Sequence, residues 1–229
     1  PADVDGPRPP DQIPIARVEK RDVPDDAYLD GKIADAAVQK LRDVKDTPFF
    51  LGVGFWKPHL PFNAPAKYWD MYDATSIEPP SNPQPPVGVP PIAMHDSREL
   101  LRDYKQGLTD EQTQTMRHGY AAAISYVDTQ IGKVLDELDR LDLRRNTIIV
   151  FWSDHGFHLG EHALWCKTSN FELDARVPLI ISVPGKTDTG RSCRALTELL
   201  DIYPTLADYC DLHPPHGLEG VSLRSVIEN

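Results

Sequence analysis

Hydrophobic residues in this chain come in separated bunches, and the spacing inside each bunch predicts an alternation of helices and short buried strands. From Asp26 to Val44, Leu29, Ile33, Ala37, Val38 and Leu41 recur at helical spacing, with Asp25 or Asp26 placed to cap the start. Pro48 then introduces Phe49-Phe50-Leu51-Gly52-Val53-Gly54-Phe55, a nearly continuous apolar run of the kind a strand buried on both faces shows. Trp56-Lys57-Pro58-His59 stops it. The longest helical pattern runs from Asp110 to Leu141, with Met116, Tyr120, Ala123, Ile124, Val127, Ile131, Val134, Leu135 and Leu138 on one stripe. Two further strands are predicted from Asn146 to Trp152 and from Val177 to Val183, and a last helix from Thr197 to Cys210. Blocky apolar strands separated by helices predict an α/β fold with a mainly parallel sheet flanked by helices.

The remaining stretches set the organisation. Residues 1–25 are rich in Pro and Asp with no apolar period, which predicts an extended lead-in and places the folded core at residues 26–229. The proline-dense stretch 77–91 can be neither helix nor central strand and is expected to be an ordered surface loop. With 229 residues, of which 40% are hydrophobic, the chain can bury a substantial core.

Charge narrows the partners. Against 35 Asp and Glu stand 24 Lys and Arg, a formal charge of -11 whose field argues against nucleic acid or an anionic membrane as partner. An anionic substrate must then be met by a local cluster of cations. Neither a membrane-spanning apolar run nor a charged-then-apolar leader is visible. Cys166, Cys193 and Cys210 are too widely spaced for a zinc knuckle and allow at most one bridge.

Three groups of residues carry candidate chemistry. Ser153-Asp154-His155-Gly156 follows a predicted buried strand, and open α/β sheets place ligands beyond the carboxyl ends of their strands. If Gly156 permits a turn there, Asp154 and His155 offer a metal one oxygen and one imidazole nitrogen; the plainer alternative is that Asp154 caps the turn and His155 packs. Lys57-Pro58-His59 ends the first predicted strand. Its cation and its acid-base group suit a sulfate or phosphate ester, which needs charge neutralisation and a proton for the leaving alcohol; the alternative is a solvated lysine and a loop histidine. Downstream lie His158, Glu161, His162 and Lys167. The string His158-Leu159-Gly160-Glu161-His162 matches the H-x-x-E-H of inverted zinc peptidases, but Gly160 weakens the helix that motif requires. The preferred reading is an active-site loop in which Lys167 returns as a second anion-binding cation.

These residues also carry a resemblance. Pro48-Phe49-Phe50-Leu51 running into Trp56-Lys57-Pro58-His59-Leu60-Pro61-Phe62, then Ser125-Tyr126-Val127-Asp128-Thr129-Gln130-Ile131-Gly132, form its first half. Ser153-Asp154-His155-Gly156 through Gly160-Glu161-His162, Trp165, Lys167 and Ser169-Asn170-Phe171 to Val177-Pro178-Leu179-Ile180 form its second. Leu200-Asp201-Ile202-Tyr203-Pro204-Thr205-Leu206 and Leu218-Glu219-Gly220-Val221-Ser222-Leu223 close it. Together they resemble the sulfatase branch of the alkaline phosphatase superfamily, nearest to the iduronate-2-sulfatases, over nearly everything after Asp46.

The resemblance implies a sulfuric ester hydrolase acting on a sulfated sugar or uronic acid, such as a glycosaminoglycan unit. Asp154 and His155 would be ligands or close contacts of one divalent cation, usually calcium, His59 would protonate the leaving alcohol, and Lys167 would bind the sulfate or a neighbouring acidic group. Phe157 would line the sugar pocket, with His162 beside it on the substrate side, and Lys57 is a further cation near the catalytic centre. It also implies a periplasmic, secreted or lysosomal setting. The family's nucleophile is a formylglycine made in a C/S-x-P-x-R motif, and an Asp-Asp pair completes its metal site. None of the three cysteines sits in that motif, and Asp25-Asp26 reads as a helix start. The expectation is therefore that the family's amino-terminal segment is absent from this chain, which by itself would be inactive. A phosphodiesterase or phosphonate hydrolase of the same superfamily, or a non-catalytic scaffold, are the alternatives.

Overall fold

The computed structural model describes residues 17–101, 104, 107–186 and 190–228, the side chain of Arg98 excepted. Most of the expected lead-in, residues 1–16, lies outside the described residues. In chain order come β1 (Val18–Arg21), α1 (Leu29–Val44), β2 (Phe62–Pro65), α2 (Ala66–Trp69), α3 (Arg98–Leu101) and the long α4 (Asp110–Arg140). There follow β3 (Ile149–Trp152), β4 (His158–Leu159), β5 (Trp165–Cys166), α5 (Glu172–Ala175), β6 (Leu179–Ser182), α6 (Ile202–Tyr209) and α7 (Arg224–Glu228). They fall into two compact units, Pro1–Leu143 with His155–Arg176, and Arg144–Asp154 with Val177–Asn229.

In the first unit α4 is the spine. Its start is set by a reciprocal cap: Thr109 Oγ1 accepts from the Gln112 amide at 3.2 Å, and Gln112 Oε1 accepts from the Thr109 amide at 2.9 Å. Ala122 and Tyr126 pack with Tyr28, Ala64, Tyr68 and Trp69, while Met116 joins Leu60, Phe62, Leu100, Trp165 and Cys166 in a second apolar cluster. The Tyr126 hydroxyl ties α4 to the start of α1, donating to the Asp25 carbonyl at 2.9 Å and accepting from the Gly31 amide at 2.6 Å.

The buried face of α4 is rotated from the expected stripe: Ile124 is 40% exposed, whereas Gln130 is fully buried. Gln130 donates to Asp25 Oδ2, so its polarity is satisfied inside, and hydropathy alone cannot register that. Asp25 is likewise not a helix cap. Tyr28 holds that position, and the Asp25 carboxylate takes hydrogen bonds from Tyr68 and Gln130 and ion pairs from Lys67 and Lys133.

β1 falls in the stretch expected as a lead-in and pairs in parallel with β2, Val18 opposite Phe62. The apolar run 49–55 forms no paired strand among the described residues. Its burial alternates: Phe49, Leu51, Val53 and Phe55 are half-buried, whereas Phe50 is 87% exposed. One face of the run is covered where two were expected.

In the second unit β3 and β6 pair antiparallel, Ile149 opposite Ser182 and Trp152 opposite Leu179. The α/β class thus holds, with one parallel pair and two antiparallel pairs among the described strands. Direction is a finer property than an apolar run can carry, because such a run reports burial and reads the same both ways. α6 is locked to the segment that follows it: Thr205 Oγ1 accepts from the Leu223 amide at 2.8 Å, and Asp201 accepts from the Val221 amide at 2.8 Å.

Candidate active site

The loop after the apolar run carries the first site residue. Asp30, fully buried in the first turn of α1, accepts from the Trp56 amide at 2.5 Å and lies 3.5 Å from that of Lys57, which fixes the loop's entrance. The Lys57–Pro58 and Leu60–Pro61 peptide bonds are both cis. Lys57 is buried, and its ammonium is turned to carbonyl oxygens of its own loop, 2.8 Å from that of Pro61 and 3.5 Å from that of His59. The His59 ring lies 5.0 Å from that of Trp56. Nδ1 of His59 is 2.7 Å from the Leu60 carbonyl; a carbonyl only accepts, so Nδ1 carries a proton and donates, and Nε2 is the nitrogen left for chemistry.

The hairpin of β4 and β5 brings in the second. His158 stands opposite Cys166 and Leu159 opposite Trp165, with Gly160 in left-handed backbone at φ 103° in the turn between them. Lys167 follows, flanked by Cys166 at φ 71° and Thr168 at φ 94°. Left-handed backbone costs a residue with a Cβ on the order of 1 kcal/mol, and two such positions around one lysine set the direction in which it leaves the hairpin. Lys167 Nζ arrives 3.0 Å from His59 Nε2, across 108 residues of sequence.

The third member is one that the sequence reading missed. Glu99 of α3 places Oε2 2.5 Å from Lys167 Nζ and Oε1 2.9 Å from His59 Nε2. Two contacts fix α3 here: Leu100 is fully buried, and Ser97 Oγ accepts from the Trp165 amide of β5 at 2.8 Å. One glutamate in a helix of four residues, with no periodic pattern around it, leaves no sequence signal.

His158 and His162 belong to the strand and turn of the same hairpin, not to a regular helix. His158 is fully buried in β4, its Nδ1 2.7 Å from Asp174 Oδ1 and its Nε2 3.3 Å from His162 Nδ1. Asp174 Oδ2 accepts from the amide and hydroxyl of Ser169. The His162 ring stacks on Phe171 at 4.8 Å. Its amide donates to the Asn82 carbonyl at 2.7 Å and Pro80 lies against Gly160, so the proline-dense loop is tied down over the hairpin. The H-x-x-E-H string is therefore no zinc peptidase helix: Gly160 and His162 have positive φ, and Glu161 is engaged with Arg117 at 2.7 Å and with the Leu159 amide at 2.7 Å. Burial would raise the Glu161 carboxyl, but the Arg117 guanidinium and the Leu159 amide outweigh it and hold the group below its ordinary value.

Phe157 packs edge-on against Phe62 at 5.8 Å and lies 5.6 Å from Tyr120. Asp154, exposed, closes the strand segment of the second unit; His155, half-buried, opens the return of the chain into the first. His155 Nδ1 lies 2.7 Å from the Gly156 carbonyl and so donates, which means that a metal would be met through Nε2. Calcium takes six to eight oxygen ligands, and among the described residues no group of three or more His, Cys, Asp or Glu is placed to hold an ion. One carboxylate and one imidazole do not make a calcium site by themselves. Cys166 is no nucleophile: burial, with Glu99 adding to it, pushes its thiol up to about 12.

The chain also matches known proteins. A family model described as Sulfatase covers residues 5–212. Iduronate 2-sulfatase from Mus musculus is 36% identical over 239 residues, covering 88% of this chain and 43% of that protein. A phosphonate monoester hydrolase from Silicibacter pomeroyi superposes with a TM-score of 0.78 at 27% identity, covering 90% of this chain and 42% of the other. A protein solved with its substrate D-glucosamine-2-N,6-O-disulfate superposes with a TM-score of 0.75 at 25% identity, covering 88% of this chain and 52% of the other. The chain thus spans less than half the length of the curated relative it matches. With a family model spanning most of its residues and a relative more than one third identical over 88% of them, the chain belongs to the sulfatase family.

Proposed function

We propose that the intact protein is a sulfuric ester hydrolase acting on a sulfated sugar or uronic acid. The observation that carries this reading is the meeting of His59 Nε2 and Lys167 Nζ at 3.0 Å. A sulfate ester breaks when its bridging oxygen takes the bonding electron pair, and that step is eased by a cation on the sulfate oxygens and by a proton on the departing oxygen. Lys167 supplies the first and His59 the second. Lys57 acts at one remove, holding the loop that presents His59 through its contacts with the carbonyls of Pro61 and His59. Phe157 and His162 are assigned to the sugar side of the site. Asp154 and His155 are this chain's contribution to holding a divalent ion whose other ligands, like the formylglycine nucleophile of the family, are not assigned to any residue here. The roles of His59 and Lys167 do not depend on them.

The test is turnover of sulfated disaccharides by the intact protein. His59→Ala is expected to lower kcat by about 10²- to 10⁴-fold, the usual contribution of a positioned acid. Unchanged turnover would remove His59 from the role. The structural likeness to a phosphonate monoester hydrolase favours a second reading, in which the same Lys and His serve a phosphorus ester. Side-by-side kinetics on an aryl sulfate and a phosphonate monoester separate the two, since the larger kcat/KM names the natural ester.

A further inference from the structure

We propose that Glu99 is a positioning residue that offsets the charge of Lys167 at His59, so that the Nε2 proton of His59 is kept beside a lysine that would otherwise repel it. The inference rests on the reading of His59 as the leaving-group acid. It begins from a conflict of donors. Nδ1 of His59 already donates to the Leu60 carbonyl, so Nε2 either lacks a proton and accepts from Lys167 at 3.0 Å, or carries one and faces Glu99 Oε1 as an ion pair at 2.9 Å.

The carboxylate decides between them. Glu99 Oε1 is buried, and no hydrogen bond from elsewhere reaches it among the described residues, while Oε2 is occupied by Lys167 at 2.5 Å. A neutral imidazole would leave that buried oxygen facing a lone pair at 2.9 Å; a protonated ring sets a positive charge against it. Among the described residues, three charged groups bear on the ring. Glu99 comes from α3 and Lys167 from the end of β5, while Lys57, on the ring's own loop, has its ammonium turned to the Pro61 carbonyl. At nearly equal distances the attraction of Glu99 for a charged imidazole and the repulsion by Lys167 largely cancel. Without Glu99 the repulsion would stand alone. During turnover the proton passes from Nε2 to the oxygen that takes the electron pair of the breaking ester bond, and the neutral imidazole is reprotonated from solvent.

The variants therefore have opposite signs. Histidine-selective NMR titration of this chain, with His59→Ala to assign the signal, is expected to show the His59 midpoint moving down by about one pH unit in Glu99→Gln and up in Lys167→Met. Glu99→Asp should restore part of the Glu99→Gln shift, and an unchanged amide spectrum shows that the fold is kept. In the intact protein the alkaline limb of the pH–rate profile on a sulfated disaccharide should move down with Glu99→Gln by the same amount. A His59 midpoint that stays or rises in Glu99→Gln overturns the proposal, as does, once His59→Ala has lowered kcat, a pH–rate profile that does not move. The titration needs no turnover, so it judges Glu99 even if His59→Ala shows that His59 is not the acid.

Discussion

A methyl group on residue 156 would stand 1.9 Å from the carbonyl oxygen of Leu173, well inside the closest approach of a real Cβ. Two short hydrogen bonds force that approach: the Gly156 amide donates to the Asp174 carbonyl at 2.7 Å, and the Phe157 amide to the Leu173 carbonyl at 2.7 Å. They hold α5 against the residues that follow His155, and they place Asp174 where its carboxylate meets His158. Gly156→Ala must push two backbone segments apart, and a loss of about 3 kcal/mol in unfolding free energy is expected by urea denaturation. Gly54→Ala is the control, because a Cβ there meets nothing within 4 Å and should shift stability by less than about 1 kcal/mol.

At the scale of elements, α4 matters most to the site, since it carries the apolar clusters against which β2 and the β4–β5 hairpin are laid. Its reciprocal cap gives a clean test. Thr109→Ala removes the side-chain acceptor of the Gln112 amide and should cost about 1 kcal/mol in urea denaturation, while Thr109→Ser should retain most of it. The short α3 works differently. Four residues cannot form a stable helix alone, so Glu99 is held in place by the burial of Leu100 and by the Ser97 bond to β5.

For the molecule as a whole, two carboxylates link stability to pH. The guanidinium groups of Arg140 and Arg42 hold the Glu137 carboxyl down at about 2. Burial would raise Asp25, but the hydrogen bonds from Lys67, Gln130 and Tyr68 outweigh it and lower it. A group whose folded value lies below its unfolded one binds fewer protons when folded, so its stabilisation is complete above the unfolded value and is lost as pH falls through the folded one. Stability should therefore be level above about pH 5 and fall steadily towards pH 2, and Glu137→Gln should flatten that slope. Thermal unfolding midpoints across this range measure it, and a slope unchanged by Glu137→Gln would reject the assignment.

What the residues by themselves determined is local or repetitive. The period of apolar positions located α1, α4, α6 and the strands at 149–152 and 179–182, because a helix or a buried strand repeats its signal over many residues. The motif strings nominated His59, Lys167, Asp154 and His155 as candidates, because a reaction restricts which side chains can serve it. Only the tertiary structure decided that Lys57 turns to its own loop, that the H-x-x-E-H string is a hairpin, and that Glu99 completes the group around His59. Each of these depends on where a single side chain is sent by contacts made far away in the chain, and a hydropathy pattern averages over such contacts.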